Sequence, residues 1–76
     1  MMNELDTVVL LKDINEHGLT QGDIGAVVHC YNNHKAFEVE FVTAGGETVA
    51  LLTLTDQEIR AMRPKEILHV RVLDAA

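Results

Sequence analysis

A small, strongly bent antiparallel β-barrel is the fold this sequence predicts, and three observations predict it. Gln21-Gly22-Asp23-Ile24-Gly25-Ala26-Val27-Val28-His29 reads as a glycine-bearing turn feeding directly into a β-branched strand. Phe37-Glu38-Val39-Glu40-Phe41 alternates apolar and charged residues, the period of a half-buried strand. At 76 residues there is room for one domain, 1–76, and the apolar runs are separated by short polar breaks.

Each element follows in order. Thr7-Val8-Val9-Leu10-Leu11 is apolar at successive positions, as in a strand buried on both faces. Lys12 to Gln21 is polar, broken by Asn15 and Gly18, and predicts a long loop. Gly22 can supply a positive φ and Asp23 can tie the turn to the backbone. Ile24 to Tyr31 is the second strand, with Gly25 marking a bend or a close backbone approach. Asn32 to Lys35 is a turn, with Asn expected in the left-handed region.

Phe37, Val39 and Phe41 face the core of the third strand, which leaves Glu38 and Glu40 in water. Ala44-Gly45-Gly46-Glu47 is a hairpin turn. Thr48 to Leu54 returns, with Leu51-Leu52 blurring the alternation and predicting a bulge or two-sided burial. Thr55-Asp56-Gln57-Glu58 has the form of a capping box and predicts one short helical turn. Pro64 cuts that turn short. Ile59 to Met62 can serve as a fifth strand. Ile67-Leu68-His69-Val70-Arg71-Val72-Leu73 is then an extra C-terminal strand. The expected fold is mainly β: an SH3-like barrel of about five antiparallel strands over about 5–63, one helical turn, and the extra strand over about 66–73.

Composition limits function. A chain this short buries roughly 60% of its unfolded surface and a core of this size supplies about 3–5 kcal/mol of net stability. Twelve acidic against six basic side chains give a net charge of −6, which argues against phosphate binding and anionic membranes. Cys30 is the only cysteine, so no internal disulfide forms, as suits a reducing compartment. The acidic start, Met1 to Asp6, is unlike a signal peptide, and the expected location is the cytoplasm.

No catalytic, cofactor or metal site is expected. His29, Cys30 and His34, with His17, are metal-ligand types, but their spacing fits no zinc pattern, and His29 and Cys30 should point to opposite faces. The same alternation separates Cys30 from His29 as nucleophile and base, and pairing it with His69 is no better supported. Gly22 and Gly25 open a strand, not a phosphate-binding helix. With only Tyr31 free of the core, aromatic grooves for proline-rich peptides or single-stranded nucleic acid are not expected. Partner-binding candidates are Glu38, Glu40 and Glu47, as an acidic patch for a basic partner, and His69 and Arg71 on the C-terminal strand. That strand could pair with another molecule, a homodimer included. The cluster Arg60, Arg63 and Lys65 is the one feature favouring a ribosome- or RNA-associated barrel.

The glycine-turn-strand run from Gln21 to Val28 is similar to that of KOW-type barrels. Leu5 to Leu10, Gly22 to Val28, Ala36 to Phe41 and Glu47 to Leu51, in that order, resemble the bacterial DUF4926 family, over about Leu5 to Arg71. The resemblance implies an SH3-like, stand-alone protein that accompanies toxin-like or other neighbouring proteins. It implies no activity, substrate or catalytic residue. The function expected is a non-enzymatic interaction module, in one form a neutralising or accessory partner of such a neighbour.

Overall fold

The computed structural model describes residues 2–73. Five strands follow one another: β1 (Thr7–Leu10), β2 (Ile24–Cys30), β3 (Ala36–Val42), β4 (Thr48–Thr55) and β5 (Ile59–Ala61). All pairings are antiparallel, in one sheet of order β4-β3-β2-β1-β5. The outer strands β4 and β5 are joined by residues 56–58 alone. That link reaches at most about 14 Å, whereas flat strands would set the two edges about 19 Å apart. The sheet must therefore curl into a barrel. β4 and β5 share no ladder, which leaves an open seam.

The curl closes over Val8, Leu10, Val27, Phe37, Val39, Phe41, Leu54 and Ile59, all buried in one cluster. β1 is buried on both faces as its composition predicts. Val8 and Leu10 face the core, and Val9, between Ile24 of β2 and Arg60 of β5, is buried outside that cluster. Gly25 is the close approach: a Cβ there would lie 2.7 Å from Val39 Cγ1 and 2.9 Å from Phe41 Cε2. Gly22 takes φ +96°, and the Asp23 carboxylate accepts from the Thr20 N–H at 2.8 Å, closing the turn.

Several expectations are corrected. The described residues hold one helical element, a 3-10 turn at Asn15–His17 in the first loop. After Thr55 there is a turn instead. Glu58 does reach back, its Oε1 accepting from the Thr55 N–H at 2.8 Å, but Ile59 enters β5 at once to fill the core. In the 32–35 turn it is His34, not Asn, that takes the positive φ, +55°. The register shifts once in β2, at Val28, and once in β4, at Val49 rather than at Leu51-Leu52.

The largest correction is the C-terminal strand. Residues 66–73 pair with no strand among those described. They fold back over the barrel as an irregular segment held by side chains. No helix among the described residues is long and apolar enough to cross a membrane.

Candidate functional site

Two faces of the molecule offer themselves, and the first is the outer side of β2-β3-β4. Period-two alternation brings Glu38 and Glu40 out together, opposite Thr53 and Leu51. Both carboxylates are engaged by hydroxyls. Thr53 donates to Glu38 Oε1 at 2.6 Å and Tyr31 to the same oxygen at 3.2 Å, while Thr48 donates to Glu40 Oε2 at 2.7 Å. Glu47 sits in the hairpin turn, its N–H donating to Thr43 Oγ1 at 3.2 Å, and it is Thr48 that reaches Glu40. Exposed Val42 and Leu51 lie beside the Glu38–Glu40 pair.

On the same face His29 stands opposite Glu38, its Nδ1 3.6 Å from Glu4 Oε2 and its ring edge-on to Tyr31. Cys30 points inward against the core, where burial pushes its thiol up from the ordinary range. The two therefore diverge, as alternation requires. Among the described residues no three His, Cys, Asp or Glu side chains gather as a metal site.

The second face is built by the C-terminal segment. Its start is fixed by a turn in which the Arg63 N–H donates to Glu66 Oε1 at 2.6 Å. Arg60 of β5 grips the same carboxylate in a fork, at 2.8 and 2.6 Å. The guanidinium, helped by the Arg63 N–H, holds the Glu66 carboxyl down at about 2. Further on, Arg71 makes a second fork with Asp23, Nε to Oδ1 at 2.8 Å and Nη2 to Oδ2 at 2.6 Å, and donates to the Gly18 carbonyl at 2.8 Å. The Arg71 fork lowers the Asp23 pKa below its ordinary value. Leu73 lies against Gly18.

These anchors leave the residues between them in water. Ile67 is 86% exposed, Leu68 63%, Val70 94% and Val72 89%. A groove of about 340 Å³ lies between this segment, with His69 and Arg71 on its wall, and the barrel residues Leu19, Ile24, Phe41 and Val49. Of the predicted site residues, Arg71 is thus turned onto its own barrel and His69 onto that groove. A larger groove, about 490 Å³, runs between the Lys12–His17 stretch and Leu52–Leu54 of β4. Neither fork was legible: Asp23 and Arg71 lie 48 positions apart, and Arg60 and Glu66, six apart, match no helical spacing.

The family model described as Domain of unknown function (DUF4926) matches residues 4–61. The chain belongs to this family. The DUF4926 match begins before β1 and stops at the last residue of β5, so it takes in the whole sheet and leaves out the anchored segment, where the sequence resemblance had been expected to run to Arg71. No curated protein and no solved structure shows significant similarity to the chain.

Proposed function

We propose that the protein is a non-enzymatic interaction module that binds another protein through its C-terminal segment. The observation that carries this reading is the row Ile67, Leu68, Val70 and Val72, exposed on a segment that two ion-pair forks hold in place. Burying one such side chain is worth about 1.5–3 kcal/mol, so a fixed row of four is a strong docking element. Through Ala61 the chain has three basic and ten acidic side chains, a net of −7, and a basic neighbour of the toxin-like kind would suit that barrel. The half-buried thiol of Cys30, without a cysteine partner, fits a cytoplasmic setting. The RNA-associated reading has less support, because Arg60 of its basic cluster is already held by Glu66.

Affinity purification from the native host tests the reading, comparing the tagged full chain with one ending at Met62. A stoichiometric protein that is retained by the first and lost from the second is the expected result. The same proteins on both, or none on either, would overturn it.

A further inference from the structure

We propose that the free edge of β4 and the groove beside it receive residues 67–72 of a second copy, so that two copies exchange their C-terminal segments by strand addition. This rests on the reading of that segment as a docking element and names its partner.

The edge is unprotected. β4 has eight residues, Thr48-Val49-Ala50-Leu51-Leu52-Thr53-Leu54-Thr55, and among the described residues it forms a ladder with β3 alone. Sheet edges are ordinarily blunted by shortness, by Lys or other charges, or by Pro. The opposite edge, β5, is short at three residues. β4 is long and contains no charged residue and no proline. Its threonines and aliphatics are also the residues that suit a further ladder.

The groove along Leu52–Leu54 gives an added strand somewhere to lie, and its charge selects the occupant. Asp13, Glu16 and Glu58 outnumber Lys12 on its walls. Residues 67–72 carry Arg71 and no acidic side chain, and Arg63 and Lys65 lie just ahead of them. An acidic groove thus faces a basic segment, in a chain that is acidic overall.

The segment is suited to the role. Residues 67–73 make no backbone–backbone hydrogen bond among the described residues, so their donors and acceptors are available. In a strand, Leu68, Val70 and Val72 would share one face, and Ile67, His69 and Arg71 the other. Glu66 on Arg60 fixes where the segment leaves the barrel. The Arg71 fork on Asp23 holds the segment on its own copy and opposes the exchange.

Sedimentation of the full chain from micromolar to millimolar concentration tests this, with the variants Val70→Lys and Thr53→Lys. Val70 is exposed and Thr53 can yield to a lysine facing Glu38, so neither change threatens the fold. A dimer is expected, with each variant raising its dissociation constant by about tenfold or more. An equimolar mixture of the two should recover association, since one intact edge then meets one intact segment. A monomer throughout, or a dimer indifferent to both variants, would overturn the exchange. If the full chain is monomeric while truncation at Met62 still abolishes capture of a host protein, the second copy is wrong and the docking reading stands. A dimer that survives that truncation defeats the exchange, whatever the capture experiment shows.

Discussion

The barrel and the segment that follows it obey opposite rules. Through Ala61 most apolar side chains of the strands turn inward, Val28, Val42 and Leu51 excepted, and Phe37, Val39 and Phe41 reach near-complete burial. Beyond Ala61 the same residue types stand in water, and what positions the chain is charge: Arg60 on Glu66 and Arg71 on Asp23. The barrel is acidic, with ten acidic against three basic side chains, while the remainder has three basic against two acidic. A region held by packing resists change because its contacts are many and cooperative. A region held by two partly buried forks has few contacts to break, which is what a docking element needs. The family match divides the chain at the same place, ending with β5.

The sharpest test of that contrast is a core truncation. Phe37 is fully buried, and Phe37→Ala should lose about 3–5 kcal/mol. That equals the net stability expected of so small a domain. Far-UV circular dichroism at room temperature should show the variant largely unfolded. A cooperative melt close to that of the parent would mean that the barrel is not what holds the molecule together.

Gly25→Ala comes next. The added Cβ meets Val39 Cγ1, Phe41 Cε2 and the Glu40 carbonyl, the last at 3.0 Å, so two core side chains and a strand backbone must give way. Overpacking of this kind removes about 1–3 kcal/mol, and Tm should fall by roughly 4–8 °C per kcal/mol in a domain of this size. An unchanged Tm would show that β2 and β3 are not packed so closely.

Ending the chain at Met62 should do less than either change. The five strands, their registers and the core cluster all lie before that point, so circular dichroism should be preserved and the melt should stay cooperative. Unfolding of the shortened chain would place the segment within the folding unit and erase the distinction between the two regions.

The same distinction explains what the sequence could disclose. Alternation in Phe37 to Phe41 specifies both the core face and the pairing of Glu38 with Glu40 on the other side, because burial makes a one-residue slip costly. Gly22 and Asp23 announce their turn through backbone chemistry that is local to a few residues. Ile67 to Leu73 has strand composition too, but β-propensity reports fitness for a pleated, half-buried surface and not the presence of a neighbour. Within one copy no strand lies beside it, so composition alone misleads. The extra residue at Val49 sets Thr48 opposite Val42, where its hydroxyl reaches Glu40, a local irregularity that alternation does not announce. The two forks depend on where the segment folds back, which is a tertiary fact with no local signature.

The smallest effect concerns the anchor itself. Glu66 ionises near 2 on Arg60, against an ordinary 4.5. A carboxyl with a depressed folded value stabilises the anchored form fully above its released value, and that contribution is lost as the pH falls through the folded one. The Arg60–Glu66 anchor should therefore be complete above about pH 4.5 and disappear as the pH approaches 2. The Asp23–Arg71 fork should weaken in the same direction, since its carboxyl is also lowered. A carbon-detected NMR titration of the Glu66 carboxyl reads this directly. A midpoint near 2 that moves up toward the ordinary value in Arg60→Gln shows that the guanidinium fixes the start of the segment. A midpoint already near 4.5 in the parent chain would mean that the segment is not anchored on β5, and the contrast between a packed barrel and a charge-held docking element would lose one of its two supports.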